Sequence, residues 1–184
     1  MPDAMFPLEP SPWIARFAPL ITPGGEVLDL ACGGGRHARL LAGMGHRVEA
    51  VDRDVDAIAT LAGIDNVATR CADLEGGPWP YYGRGFDGIV VSRYLWRPLF
   101  PFLFGCLREG GILIYETFMV GQEVYGKPEN PAHLLRAGEL LELMHKRFTV
   151  LAFEQGETAG KMSGDKPQVM QRICVRRGRP VRLP

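Results

Sequence analysis

Three aspartates, Asp29, Asp52 and Asp73, each come at the end of a short apolar run that predicts a strand. A carboxylate attracts cations and accepts hydrogen bonds from two donors at once. Any one of these acids could instead cap a helix or close a turn. Three acids at three successive strand ends are a more specific pattern, because the carboxyl ends of parallel strands form the ligand edge of a sheet. The sequence therefore predicts a binding site at that edge.

A run of glycines, Gly33, Gly34 and Gly35, separates the first predicted strand from the helix that follows. Glycines at such a junction let the backbone pass close to a ligand, and the helix start presents free N–H groups. Gly33, Gly35 and Ala38 also satisfy the GxGxxG/A spacing of dinucleotide-binding enzymes. By itself, the loop does not say which ligand it serves.

The charges around this loop favour a ligand other than a dinucleotide. Asp29 would repel a pyrophosphate and attract an ammonium group. Arg36 and His37 lie in the first helical turn, where the helix dipole disfavours cations unless they face a carboxylate. The alternatives are a surface ion pair for Arg36 and a packed or solvated His37. A ligand with both an amine and a carboxylate is an amino acid, and the methionine end of S-adenosylmethionine fits.

The other two aspartates suit an adenosine. Asp52 follows Gly35 by 17 residues, and an acid there can accept both hydroxyls of a ribose. That feature serves NAD and S-adenosylmethionine equally and disfavours NADP. Asp73 can accept a hydrogen bond from the adenine amino group. The neighbouring Asp54 is predicted to cap the next helix.

The elements that must position these residues alternate along the chain. Strands that alternate with helices indicate βαβ units, and hence a mostly parallel sheet covered on both faces. Strands are predicted at Glu26–Leu30, 47–51, Val67–Cys71, 87–91, 112–116, 148–153 and 168–175. Helices are predicted at 36–44, 55–61, 99–107 and 137–145, the third being interrupted by proline and stopped by Gly110 and Gly111. No helix is predicted between the last two strands, so they should form a hairpin with the last strand antiparallel to the others.

The motifs together resemble the class I S-adenosylmethionine-dependent methyltransferases over about residues 25–118. The matching segments are Asp-x-x-x-Gly-x-Gly-Arg at 29–36, Asp52, Ala72-Asp73, Phe86-Asp87 and Leu107-Arg108-Glu109-Gly110-Gly111. Tyr94-Leu95, Arg97-Pro98-Leu99 and Tyr115-Glu116-Thr117-Phe118 are similar to the short bacterial group around the tellurite-resistance methyltransferase.

This resemblance implies an α/β fold, a Rossmann-like doubly wound sheet of seven strands in the order 3-2-1-4-5-7-6 with strand 7 antiparallel. It implies S-adenosyl-L-methionine as the cofactor. The residues predicted to bind it are Asp29, Ala31, Gly33, Gly35, Arg36, Asp52, Arg53, Ala72, Asp73, Leu74 and Ser92.

The acceptor half of the site should come from the ends of strands four and five. Methyl transfer is an in-line displacement, and an acceptor that carries a proton also needs a base. Glu116, Tyr94 and Arg93 are the predicted catalytic residues, with Glu116 as the base. The bacterial group often carries Asn and His where this chain has Arg93 and Trp96, so the resemblance does not identify the acceptor.

Composition bears on the acceptor class. The 184 residues include 21 Lys or Arg and 21 Asp or Glu, a formal net charge of 0, which argues against wholesale nucleic-acid binding. No Asn/Asp-Pro-Pro-Tyr/Phe motif follows the fourth strand, and no Pro-Cys pair is present, which argues against DNA methylation. A small-molecule acceptor is favoured. The alternatives are an RNA or protein acceptor, a non-catalytic binder of S-adenosylmethionine, and a dehydrogenase.

An RNA or protein acceptor would need the C-terminal arginines at the mouth of the pocket. These are Arg172, Arg176, Arg177, Arg179 and Arg182.

The length predicts one methyltransferase domain over residues 1–184, with two lid segments at 118–134 and 154–167. Both connections are longer than usual, and the first carries several apolar residues, so we expect it to fold over the methyl donor.

The four cysteines lack the spacing of a zinc site, and no metal is expected. An acid near the N-terminus and the absence of an uninterrupted apolar run predict a cytoplasmic protein without a membrane partner. The sequence does not indicate an oligomeric state.

Overall fold

The computed structural model describes residues 9–158 and 166–178. Seven strands form one sheet in the order β3-β2-β1-β4-β5-β7-β6. They are β1 Glu26–Leu30, β2 Arg47–Asp52, β3 Val67–Cys71, β4 Phe86–Ser92, β5 Leu107–Phe118, β6 Thr149–Thr158 and β7 Gln168–Arg176. Strands β1 to β5 pair in parallel, whereas β7 lies between β5 and β6 and is antiparallel to both. The predicted order and the antiparallel final hairpin are confirmed.

Five α-helices accompany the sheet within the described residues. They are α1 Pro12–Phe17, α2 Arg36–Gly43, α3 Val55–Ala59, α4 Phe100–Cys106 and α5 Glu139–Met144. Asp54 caps α3, as predicted, by accepting from the N–H groups of Asp56 and Ala57. Helix α1 was not predicted, although Ser11 before Pro12 is a typical start signal: the Ser11 hydroxyl accepts from the Trp13 N–H.

The sheet is covered on both faces because its strands are apolar on both sides. Successive side chains of a strand point to opposite faces. Val27 of β1 packs in the cluster that includes residues of α1, α2 and α3, whereas its neighbour Leu28 packs with α4 and α5. Both side chains are fully buried. This is the doubly wound arrangement that the alternation of strands and helices predicts.

The predicted boundary between the third helix and the fifth strand is wrong. Helix α4 ends at Cys106 and β5 begins at Leu107, so the two predicted stop glycines lie inside the strand. Phe86 pairs with Leu107 and Gly88 with Ile112, which leaves a bulge on β5 that contains the positive φ of Gly110. Pro101 lies in the first turn of α4, where a proline starts a helix rather than interrupting it.

The second predicted lid segment also differs from the structure. Strand β6 continues to Thr158 because residues 154–158 pair with the start of β7, so the first third of the segment belongs to the sheet. Residues 159–165 lie outside the described part of the chain. No helix occurs in the described residues of the segment, as the hairpin prediction requires.

Candidate functional site

A cavity of about 760 Å³, here called the first cavity, opens where the parallel strands end. Its walls include six of the predicted cofactor residues: Ala31, Asp52, Arg53, Ala72, Asp73 and Leu74. Its other lining residues are Glu75, Arg93, Tyr94, Leu95, Thr117, Phe118, Lys127, Pro128, Glu129, Asn130 and His133. The structure therefore brings Ala31, which follows β1, together with residues that end or follow β2 and β3, whereas the predicted residues Asp29, Gly33 and Gly35 are not among the lining residues.

Asp52 is held in place by the backbone on either side of it. The Gly33 N–H donates to Asp52 Oδ2 over 2.7 Å, and the Asp54 N–H donates to Oδ1 over 3.0 Å. A carboxylate has about four acceptor positions, so each oxygen keeps one for a further donor. Because both oxygens are already oriented, Asp52 is suited to accept two vicinal hydroxyl groups.

Asp29 lies beneath the glycine loop with only 1% of its surface exposed. Its Oδ2 has no hydrogen-bond partner among the described residues. Burial raises the pKa of this carboxyl from 3.8 to about 7, and the Ala38 N–H and the Arg36 charge oppose that rise. Burying a carboxylate oxygen without a hydrogen-bond partner costs free energy. A cationic donor that binds at this position would remove that cost.

The last glycine of the loop, Gly35, has no room for a larger residue. Gly35 precedes α2 with a φ of +72°, and a Cβ there would overlap the Leu61 side chain. Ala31 also has a positive φ, of 52°, although it is not a glycine. Strained backbone of this kind is concentrated at functional sites, because the surrounding structure must compensate for its cost.

Asp73 is exposed at the end of β3, next to the buried Leu74. Its Oδ1 accepts from the Glu75 N–H over 3.0 Å. The N–H groups of Glu75 and Gly76 lower the pKa of the Asp73 carboxyl, which keeps it ionised and able to accept.

A second cavity of about 570 Å³ lies beside the first. Its lining residues include Arg36, Arg93, Glu116, Lys127 and Arg172, and of these Arg93 and Lys127 also line the first cavity. The predicted cofactor residue Arg36 thus faces the second cavity. It donates to Ser92 Oγ over 3.2 Å, and the Ser92 hydroxyl donates to Glu116 Oε1 over 2.9 Å.

The three predicted catalytic residues are divided between the two cavities. Tyr94 lines the first, Glu116 the second, and Arg93 both. Burial raises the pKa of the Tyr94 phenol, and the Glu75 carboxylate raises it further. Tyr94 therefore keeps its proton and offers it in a hydrogen bond instead of acting as a base. Glu116 is buried and lies 3.4 Å from Arg172 Nε across the β5–β7 pairing. Its role as a base stays a prediction.

His37 is a packed residue rather than part of either cavity wall. The Ser11 N–H donates to His37 Nε2 over 3.1 Å, and the side chain is 3% exposed. Burial, followed by the charges of Arg36 and Arg93, lowers the pKa of His37 to about 3. His37 is therefore neutral and fastens α1 to α2, which is the packed alternative of the sequence analysis.

Residues 118–134, here called the cover segment, pass over the first cavity. Lys127, Pro128, Glu129, Asn130 and His133 contribute to its wall. The segment contains two short 3₁₀ helices, Gln122–Val124 and Pro131–His133. That the segment folds over the methyl donor stays a prediction, and two of the apolar residues on which it rests, Val120 and Val124, are 53% and 78% exposed.

Two polar residues hold the cover segment, and sequence reasoning assigned neither of them a role. Gln122 is buried; its Oε1 accepts from the Val169 N–H of β7 over 2.9 Å, and its Nε2 donates to the Lys127 carbonyl over 3.4 Å. Arg97 donates to the carbonyls of Ala132 and Leu134 over 2.8 and 2.9 Å. Such anchors leave no periodic signal in a sequence, although Arg97 stands in one of the resemblance motifs.

Within residues 9–158 and 166–178, no group of three or more His, Cys, Asp or Glu is placed to hold a metal ion. In the same part of the chain, no helix is both long and apolar enough to cross a membrane.

Known proteins share this sequence pattern. The family described as "Methyltransferase domain" matches residues 27–111. A protein-L-isoaspartate O-methyltransferase of Chlorobaculum tepidum is 34% identical over 141 residues, 71% of this chain and 59% of that protein. A probable S-adenosylmethionine-dependent methyltransferase of Mycolicibacterium smegmatis is 32% identical over 155 residues, 77% of this chain and 56% of that protein. The chain thus spans less than two thirds of the length of either relative.

The fold is also shared. The crystal structure of TehB from Haemophilus influenzae superposes with a TM-score of 0.74 and 21% identity, and the match covers 90% of this chain and 61% of that one. With the family match over residues 27–111 and the strand order, these findings indicate the class: the chain contains a segment that matches the methyltransferase-domain family and resembles the class I S-adenosylmethionine-dependent methyltransferases.

The cofactor of this class is S-adenosyl-L-methionine, and the residues present fit it. The Oδ2 of Asp29 has no hydrogen-bond partner among the described residues, and the amino group of the cofactor is a cationic donor that could pair with it. Asp52 retains acceptor positions for two hydroxyls.

Proposed function

We propose that this protein transfers the methyl group of S-adenosylmethionine to a small molecule held beneath the cover segment. The cofactor supplies a methyl group on a positively charged sulfur, from which it leaves by in-line displacement. In this proposal Asp29 binds the amino group, Asp52 the ribose hydroxyls and Asp73 the adenine amino group. These roles use the unpaired Oδ2 of Asp29, the two oriented oxygens of Asp52 and the lowered pKa of Asp73.

The contribution of the cover segment to the wall of the first cavity is the observation that carries a small acceptor. Residues 127–130 and His133 stand opposite the strand-end aspartates, and the segment is tied down by Gln122 and Arg97. A wall segment that is anchored near both ends limits the size of what can enter.

The distribution of the C-terminal arginines also supports a small acceptor. Arg172 lines the second cavity, but Arg176 pairs with Ile112 at the other end of β5, and Arg177 donates to the Phe104 and Leu107 carbonyls. Among the described arginines of the cluster, two of three are therefore away from the site. Arg179 and Arg182 lie outside the described residues.

An RNA or protein acceptor is the second candidate, and the relatives' names are the observation for it. One is named a protein-L-isoaspartate O-methyltransferase and another, 32% identical over 110 residues, a tRNA U34 carboxymethyltransferase of Methylococcus capsulatus.

Deleting residues 122–128 tests the proposal. The deletion removes the Gln122 anchor and part of the cavity wall but none of the strand-end acids. Methyl transfer from labelled S-adenosylmethionine to a metabolite pool should be lost, while S-adenosylhomocysteine affinity by calorimetry stays within about threefold of wild type.

Val124→Ser, a change at an exposed position of the same segment, is the matched control and should keep both the methyl transfer and the S-adenosylhomocysteine affinity of wild type. Wild-type transfer by the deletion variant would contradict an acceptor site beneath the cover segment. Label incorporated by the wild-type protein into RNA or protein, and not into metabolites, would instead support the second candidate.

A further inference from the structure

The second cavity is strongly cationic. Five basic residues line it: Arg36, Arg93, Lys127, Lys166 and Arg172. Among its described lining residues, Glu116 is the single carboxylate. The formal charge of the described wall is therefore positive, in a protein whose net charge is 0.

The protein itself leaves most of this charge uncompensated. No carboxylate of the described residues lies within 4.0 Å of the charged groups of Arg36, Arg93 or Lys127. The pKa of Arg36 is lowered by burial and then by the Arg93 charge, and the Glu116 and Asp29 carboxylates oppose this shift. Two guanidinium groups that repel each other across a cavity are stabilised when an anion enters it.

A second, independent observation that points to a polar ligand is the pair Glu116 and Arg172 in the wall of this cavity. Glu116 is 3% exposed, and neither its Oε2 nor Arg172 Nε has a hydrogen-bond partner among the described residues, although the two atoms are 3.4 Å apart. Arg172 also faces Glu154 at 3.9 Å. The buried donor and acceptor are thus charge-paired but lack hydrogen bonds, which is a costly state that a polar ligand would relieve.

We propose that the second cavity binds a small acceptor with an anionic group, a carboxylate or a phosphate, through Arg93, Lys127 and Arg172. This inference rests on the proposed function. Arg93 and Lys127 line both cavities, so an anion held by them is next to the predicted cofactor site. About 570 Å³ is in the range of organic-ligand pockets, so the wall encloses the body of the molecule as well as its charge.

The backbone of Arg93 indicates why its side chain is significant here. Its φ is +56°, a conformation that is costly for a long side chain and that asparagine adopts more readily. In the described residues its guanidinium donates only to Gln168 Oε1, over 3.3 Å, and stands over the Phe118 ring at 5.9 Å. A residue with a strained backbone thus places its cationic side chain in the wall that the two cavities share.

The test uses the full-length protein saturated with S-adenosylhomocysteine, whose own carboxylate already occupies the amino-acid end of the cofactor site. Benzoate, phenylacetate and phenyl phosphate are titrated by calorimetry against their neutral counterparts, benzamide, phenylacetamide and phenol. We expect the anions to bind at least about tenfold tighter than the neutral compounds. Comparing the carboxylates with the phosphate shows which anionic group the site prefers.

Arg93→Asn and Lys127→Gln should each reduce this preference by about tenfold, and Arg93→Lys should retain part of it. Lys146→Gln removes the same charge at an exposed position of neither cavity wall and should change nothing. Lys127 is exposed, so its variant is expected to fold even if changes at Arg93 disturb the loop.

Equal affinity for anions and neutral compounds, or a preference that survives both variants, would overturn the inference. A tRNA transcript that binds the complex and displaces phenylacetate would overturn it in favour of a macromolecular surface. If the wild-type protein does not bind S-adenosylhomocysteine, that separate result would contradict the proposed function.

Discussion

At the scale of single residues, the proposed cofactor site uses carboxylates in three different electrostatic states. Asp29 is buried and unpaired, Asp52 is oriented by two backbone N–H groups, and Asp73 is exposed and kept ionised. The same residue type can therefore meet an ammonium group, a pair of hydroxyls and an adenine amino group, because burial and neighbouring donors set its properties.

Asp52→Ala tests the ribose assignment. The variant loses two hydrogen bonds to a carboxylate, so S-adenosylmethionine affinity should fall by about 100-fold, or about 3 kcal/mol, in calorimetry. Asp54→Ala is the matched control: it removes the exposed cap of α3 and should lower stability by about 1 kcal/mol without a comparable loss of affinity.

Unchanged affinity in Asp52→Ala would remove this residue from the site. A thermal-shift screen extends the test, since stabilisation by NADH but not by S-adenosylhomocysteine would contradict the class of cofactor.

At the scale of secondary-structure elements, an ion pair between Arg97 and Glu139, here called the charged tie, joins the 3₁₀ turn before α4, the cover segment and α5. Arg97 Nε and Nη2 donate to the two oxygens of Glu139 over 2.7 and 3.0 Å. Glu139 is 4% exposed and also accepts from the Arg136 N–H over 2.8 Å. Since Arg97 also holds two cover-segment carbonyls, one side chain fixes where the segment returns to the fold.

Arg97→Met should destabilise the protein by about 3 kcal/mol in urea denaturation, because it leaves the Glu139 carboxylate buried without its partner. The double variant Arg97→Met, Glu139→Gln should recover part of this loss, since no buried charge remains. Arg136→Met is the matched control: Arg136 faces the same carboxylate at 3.4 Å but is 70% exposed, so its loss should cost under about 1 kcal/mol. Equal losses for the two arginines would refute the tie.

At the scale of the whole molecule, the topology places both cavities at one edge of the sheet. Strands β1 to β5 end there, and β7 starts there because it is antiparallel, so Glu116 of β5 faces Arg172 of β7. Asp29 lies in β1, an interior strand between β2 and β4, and its burial couples the site to the stability of the whole fold.

Asp29→Asn tests this coupling through pH. The folded-state pKa of Asp29 is raised to about 7, so its favourable contribution is complete below pH 4 and is lost as the pH rises through 7. Wild type should therefore lose on the order of 4 kcal/mol from this group between pH 4 and pH 8. The variant should be more stable than wild type at pH 8, in denaturant titrations, and nearly equal to it at pH 4.

The variant should also bind S-adenosylhomocysteine more weakly, and without the fall in affinity that wild type shows below pH 7, where Asp29 becomes protonated. Asp56→Asn, at an exposed helix position, is the control and should follow wild type at every pH. A stability difference that does not vary with pH would show that Asp29 is ionised throughout.

The sequence by itself determined the local elements and the acids at the strand ends. Strand β3 has its predicted bounds, Asp54 caps α3, and the missing helix before β7 predicts the antiparallel hairpin. These features are readable because hydrophobic period, capping chemistry and connection length are properties of short segments. Asp29, Asp52 and Asp73 could be grouped for the same reason, since each is recognised by the short apolar run that it follows.

Only the tertiary structure decided how side chains from distant segments meet. The pairing of β5 with β7 sets Glu116 against Arg172, and the close approach of Arg36 and Arg93 makes the second cavity cationic. The bulge on β5 moved a predicted helix stop into a strand, because pairing with β4 outweighed the local preference of glycine. Strand register and polar anchors join residues far apart in the chain, so no local pattern records them.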